Sequence, residues 1–428
     1  MTSNVWEQFK ECADTLAANG FAKAEGTKLL YEADGKVYGT RNGADISKLT
    51  EDDIEIVNVK RLPVPKKGKS AMIYSQTFYC QKCLAEALPF ASSLVDAAQI
   101  IGKGVFVADG RSAEYSAGKS LRKALKKNNG CLVLRAVDGK GKGIGYSITI
   151  GKDLKAAALA LEVMEKAAEA EWKARKLGGS RLLETKDILA MKKNYDKRYS
   201  KQVKVSSGTE LSSFGEEELR LRKQLAEYGR ALVEKKLVYG TLGNLSVRLD
   251  AEHMLITPSG IDYAKIDEAD MVKVNINTLD CEGANSPSSE SELHAEIYKR
   301  RPDINAVLHA HSEYASVFAA ACKGVLVPSK ESKAKEILGR VIPIADYALP
   351  GTTQLALNTA EALGKGVAAL MAQHGLICCG EDMNAAFERA LLFEETARIA
   401  WYDYEDDDEL EDIEEEFDED IEEYEEEE

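Results

Sequence analysis

The chain repeats itself. Residues 36–59, KVYGTRNGADISKLTEDDIEIVNV, parallel residues 253–276, HMLITPSGIDYAKIDEADMVKVNI. Both read as a strand, a glycine turn, a short acidic turn and a second strand. The parallel continues in order: IYSQTFYCQKCLA from Ile73 matches LHAHSEYASVFAA from Leu308. Further on, GKDLKAAALALEVMEKAAEAEW from Gly151 matches GEDMNAAFERALLFEETARIAW from Gly380. These last two are Ala-rich amphipathic helices, each closing on a tryptophan. One such match is within chance, but three in the same order mark a duplicated unit. At 428 residues the chain also exceeds what a single hydrophobic core usually serves. Two tandem α/β domains are therefore expected, at residues 1–172 and 215–402.

The copies part company where chemistry would sit. All five histidines, His253, His294, His309, His311 and His374, fall in the second copy. His309 and His311 are answered in the first by Tyr74 and Gln76. His374 has no counterpart near Leu134 and Arg135, where a Gly/Lys-rich insertion, VDGKGKGIG, stands instead. The first copy also passes over the segment SPSSESELHAEIYKRRPDIN. It is expected to retain the fold, to have lost a metal site and to serve as structural support.

Charge is distributed unevenly. From Asp403 to Glu428, 20 of 26 residues are acidic, and without them the formal charge of −16 becomes +4. Such a block cannot bury enough apolar surface to offset chain entropy, so residues 403–428 are expected to be a disordered acidic tail. Residues 173–214 form a basic linker: Lys173 to Lys204 hold eleven Lys/Arg against three acidic residues. Aromatic interleaving is thin and no nucleic-acid motif accompanies the run, so a solvated linker is expected and nucleic acid is not an expected partner. No stretch of eighteen apolar residues suggests a membrane span, and the N-terminus lacks a basic start followed by an apolar run. The eight cysteines follow no disulfide framework, and the single C-x-x-C, Cys80 and Cys83, lacks the second pair that a zinc ribbon needs. Cys80 and Cys83 are expected to be buried thiols, and the protein is expected to be cytoplasmic.

The second copy carries a candidate metal centre. In VLHAH, His309 and His311 are two apart on a predicted strand, so both imidazoles project from one face. His374 ends the apolar run VAALMAQH. Three neutral imidazoles with an open fourth position describe a catalytic zinc site, because a structural one would be closed by cysteines. Glu290 follows two serines at the start of a predicted helix, which suits a carboxylate that contacts the ion or accepts a proton. The turns GTLGNLSVR (240–248) and TPSG (257–260) offer hydroxyls and backbone N–H groups to an anion.

Taken together, GTLGNLSVR, TPSG, SSExxxH (Ser288 to His294), RPDxxAVxHxH (Arg301 to His311), LPGT and QHGL resemble the class II aldolase/adducin family over about 185 residues. Within that family the pattern is most similar to the fuculose-1-phosphate aldolases. The resemblance implies a mainly antiparallel central sheet between helix layers, with His309, His311 and His374 as zinc ligands and Glu290 as the catalytic carboxylate. It further implies that Thr241, Asn244, Ser259, Gly260, Ser288 and Ser289 bind a substrate phosphate, and that His294 is a supporting residue.

The reaction so implied is retro-aldol cleavage of a ketose 1-phosphate through an enediolate stabilised by the ion, with Glu290 moving the proton. Sister chemistries are dehydration of a methylthioribulose-type phosphate and 4-epimerisation of a pentulose phosphate. The non-enzymatic alternative is an adducin-like assembly module. The family's aldolases also use a tyrosine from a neighbouring subunit, and the corresponding stretch here, GVLVPSKESKAKEILG, contains none. The nearest tyrosine, Tyr347, matches a different point of the pattern. Because those aldolases are fourfold rings with sites at subunit borders, two of these chains are expected to dimerise into a pseudo-fourfold ring.

Overall fold

A computed structural model describes residues 3–22, 26–58, 62, 68–86, 90–109, 119–137, 143–199 and 214–404. The expected acidic tail thus lies outside the described residues, apart from its first two. Two large sheets dominate. The first runs Ile54–Ile56, Lys36–Thr40, Lys28–Ala33, Ala71–Ser75, Gly143–Gly151, Gly130–Val137, Val107–Asp109. The second runs Cys281–Glu282, Val272–Asn275, His253–Ile256, Asn244–Arg248, Ala306–Ala310, Gly375–Gly380, Ala368–Met371, Ile344–Ala345. Apart from the additional edge strand Cys281–Glu282, the strand order is the same. Each sheet is antiparallel except at its last pair, which is parallel in both.

Details that no pattern search would find obey the same repeat. Helix Leu154–Ala174 is capped by Asp153, which accepts from Ala156 N, and helix Met383–Asp403 by Asp382, which accepts from Ala385 N. Midway along the first, Glu165 accepts from Thr77 Oγ1 and from the amides of Tyr79 and Cys80, tying down the start of helix Phe78–Ala85. Midway along the second, Glu394 accepts from Ser312 Oγ and from the amides of Tyr314 and Ala315, at the start of helix Glu313–Ala321. A carboxylate on an N-terminal turn satisfies orphan amides and meets the helix dipole. Glu394→Ala leaves those donors unpaired, and a loss of about 3 kcal/mol is expected, read as a lower urea midpoint.

The halves meet through unlike faces. Helix Leu154–Ala174 of the first packs on helix Glu313–Ala321 of the second, and one apolar cluster runs through Leu161 and Met164 to Val317 and Phe318. Lys173, 4 % exposed, sits at this seam between Glu169 and Glu313, both at 2.7 Å, with its ammonium 3.6 Å from the Tyr314 ring centroid. The basic segment is therefore not purely solvated, as its composition suggested. Helix Thr185–Tyr199 lies against helix Val95–Ile100, with Ile188 and Met191 buried beside Val95 and Ala98. No described helix is long and apolar enough to cross a membrane.

Candidate metal centre

Three structural elements deliver the histidines. His309 lies in the fully buried strand Ala306–Ala310, paired with Asn244 on one side and Ile377 on the other. His311 follows one residue beyond that strand, and His374 sits in the turn entering strand Gly375–Gly380. That turn is tight. Gln373 has a left-handed backbone (φ 59°), and a Cβ on Gly375 would come within 2.3 Å of the Ala310 carbonyl. The glycine lets the third histidine approach the other two. The metal-facing nitrogens of His309, His311 and His374 all lie within 4.8 Å of one another, and each residue is buried.

The donor set fits a divalent metal ion. His309 Nδ1 donates to the Leu376 carbonyl at 2.8 Å, which leaves Nε2 with its lone pair, 3.0 Å from His311 Nε2. Burial pushes His309 down to about 4 and His374 down to about 3, so both rings are neutral near pH 7 and able to ligate. Two buried ring nitrogens, His311 Nδ1 and His374 Nδ1, have no hydrogen-bond partner among the described residues.

Glu290 closes the group. Its Oε1 lies 3.2 Å from His374 Nε2 and its Oε2 3.4 Å from His309 Nε2. Burial opposes its charge, but at the low pH where it titrates the protonated rings of His374 and His309, with the Asn244 amide, outweigh this and hold it at about 2. A relay of side chains orients it. Asn244 Nδ2 donates to Glu290 Oε2 at 2.8 Å, and Asn244 Oδ1 accepts from His294 Nε2. His294 Nδ1 then accepts from Ser246 Oγ at 2.6 Å, which pairs with the Tyr298 hydroxyl at 2.8 Å. Burial depresses His294 to about 3, keeping it neutral as the relay requires.

A cleft of about 830 Å³, counted to its open mouth, leads to this group. All the residues expected to bind phosphate line it: Thr241, Asn244, Ser259, Gly260, Ser288 and Ser289. Asn244 is a special case, because both ends of its carboxamide are already engaged, and in this structure it holds Glu290. The expected site residues thus converge. Reading the sequence missed further lining residues: Gln99 from the first half, and Met191, Asn194 and Tyr195 from helix Thr185–Tyr199. Tyr347 is not the cleft's phenol: its hydroxyl is bound to Asp187 Oδ2 at 3.2 Å.

The second half of the chain is similar to known proteins. Residues 223–401 match the family described as Class II Aldolase and Adducin N-terminal domain. The chain is 35% identical over 183 residues to the 5-methylthioribulose-1-phosphate/5-deoxyribulose-1-phosphate aldolase of Rhodospirillum rubrum, covering 43% of this chain and 81% of that one. It is 34% identical over 180 residues to the L-fuculose phosphate aldolase of Escherichia coli strain K12, covering 42% and 82%. A solved L-fuculose 1-phosphate aldolase aligns at 36% identity and a TM-score of 0.41, covering 46% of this chain and 96% of that one.

Proposed function

This chain belongs to the class II aldolase and adducin family, and we propose that its second half is a zinc-dependent lyase cleaving a ketose 1-phosphate. The observation that carries this reading is the buried convergence of His309, His311 and His374 beside the ionised Glu290, at the base of a hydroxyl-lined cleft. The three imidazoles would hold the ion, which when bound supplies Lewis-acid polarisation of a carbonyl and stabilises developing negative charge. Ser259, Gly260, Ser288, Ser289 and Thr241 would take the phosphate, leaving the sugar's reactive end against Glu290. Glu290, aimed by Asn244, would take up the proton released in cleavage, by way of solvent, and deliver it to the carbon next to the carbonyl. Tyr195, a phenol lining the cleft, is our candidate to relay outward the proton that the hydroxyl loses as it becomes the departing aldehyde oxygen.

The deciding experiment is a screen of ketose 1-phosphates and pentulose 5-phosphates with added zinc, with the products followed by NMR. Cleavage to an aldehyde and a three-carbon ketose phosphate supports the proposal, whereas no turnover with any divalent ion would sink it. On the best substrate, Tyr195→Phe is expected to lower kcat on the order of a hundredfold, and unchanged kcat would remove Tyr195 from the scheme.

We further infer a dimer. The contact between halves joins unlike faces, so each chain leaves one face of each kind open, and two chains can close head to tail. By the repeat, Tyr402 stands where Lys173 does and Tyr79 where Tyr314 does. Tyr402 is 58% exposed, and Phe78 beside Tyr79 is 63% exposed. Phe78→Asp is expected to weaken the dimer by roughly thirtyfold or more in sedimentation. A wild-type monomer at micromolar concentration would refute the ring.

A further inference from the structure

Helix Val95–Ile100 belongs to the half without histidines, yet its first turn reaches the metal centre. Asp96, 1 % exposed, uses Oδ1 to accept from the Ala97 amide at 2.6 Å. Its Oδ2 takes Lys166 Nζ at 2.6 Å and faces His311 Nδ1 at 3.7 Å. The residue before it in the helix is also engaged, since the Val95 amide donates to the carbonyl of Gln373, next to His374, at 2.9 Å. The same Gln373 sends its side-chain amide to the Arg181 carbonyl at 2.8 Å. The first half and the linker therefore brace two of the three histidine segments.

A plain packing role does not account for this arrangement. A buried Asp–Lys pair carries a desolvation penalty that apolar residues of similar volume would avoid, so as filler it is a poor choice. His311, for its part, has its outer nitrogen buried with no hydrogen-bond partner among the described residues, while its inner nitrogen lies 3.0 Å from His309 Nε2. His309 already shows how an outer nitrogen is used: donation to the Leu376 carbonyl fixes the tautomer and frees Nε2. The gap of 3.7 Å is ion-pair reach, longer than a hydrogen bond, and contacts of this kind shorten when a site is filled.

We propose that Asp96 is a positioning residue for His311: its carboxylate accepts the Nδ1–H, so that Nε2 presents its lone pair to the ion, and the metal centre is a composite of both halves. Lys166 Nζ, 2.6 Å from Oδ2, completes the device by holding the carboxylate in place facing His311. The inference rests on the reading that the three histidines hold an ion. It gives the histidine-free half a function beyond support, as the second layer of a site whose ligands lie elsewhere.

The test is zinc affinity of the full-length protein, measured by competition with a chromophoric chelator. Asp96→Asn and the double variant Asp96→Leu with Lys166→Met are compared with wild type and with Lys173→Met, a control at the same seam away from His311. The double variant removes acceptor and cation together, so it is expected to fold even if the single variant, left with a buried lysine, does not. Zinc affinity is expected to fall 10- to 100-fold in the Asp96 variants. The urea midpoint of the metal-free double variant should be no lower than that of wild type, and the control should keep its affinity. Affinity of the folded double variant within about threefold of wild type overturns the assignment, as does an equal loss in the control. A wild-type protein that binds no divalent ion instead overturns the metal reading on which it rests.

Discussion

In Glu290→Gln, turnover is expected to fall by a factor on the order of 10² to 10⁴ while zinc remains bound at wild-type stoichiometry. The argument is local. The replacing carboxamide keeps the shape of Glu290 and can still meet Asn244. It can neither carry the negative charge now held between His374 and His309 nor accept a proton. The three imidazoles remain, so the ion should too. The sharpest check is solvent exchange: in deuterium oxide, wild type should label the carbon next to the carbonyl of the three-carbon product, and Glu290→Gln should not. Retained exchange in the variant would assign the proton transfer to another group.

His374→Ala should act on a different quantity. It removes one of three donors lying within 4.8 Å of one another, from a turn already strained at Gln373, and the remaining two histidines make a weak site. Zinc should be lost on dialysis, and activity should fall by a factor on the order of 10³ or more, the counterpart of several kcal/mol of lost charge stabilisation. Added zinc should no longer raise the unfolding midpoint of the variant, whereas for wild type a concentration of one hundred times Kd should add about 2.7 kcal/mol. A variant still protected by zinc would mean that the ion sits elsewhere.

The contrast with wild type also shows what is readable in the residues. The spacing of His309 and His311 implies their common face, because a strand alternates with period two, and the register with Asn244 and Ile377 agrees with it. The repeat announces two like sheets, since strand and turn patterns are local. The first half's counterpart of His374 is not where the sequence suggests, near Leu134 and Arg135, because a register across an insertion cannot be counted from one copy. In space Tyr74 pairs with Ile148 as His309 pairs with Ile377, which puts Gly145 where His374 stands. Gln76, at the position of His311, donates to the Gly145 carbonyl at 2.9 Å. A hydrogen bond thus occupies the place of a ligand pair.

Asp96, Gln99 and Tyr195 leave no sequence signal, and for a physical reason. Gln99 and Tyr195 reach the cleft, and Asp96 reaches His311, from far along the chain, and neither their spacing nor their neighbours mark them. An acid in the first turn of a short helix reads as a capping residue. A tyrosine amid lysines reads as part of a charged surface. Such contacts arise from how two folded units lean together, which periodicity does not encode.

The seam through Lys173 has a consequence for behaviour on dilution. In a ring of identical single-domain subunits, both walls of a cleft belong to separate molecules and part when the ring dissociates. Here a covalent tether holds wall and floor together, at an effective concentration that no dilution lowers. Specific activity per chain should therefore stay level down to nanomolar enzyme.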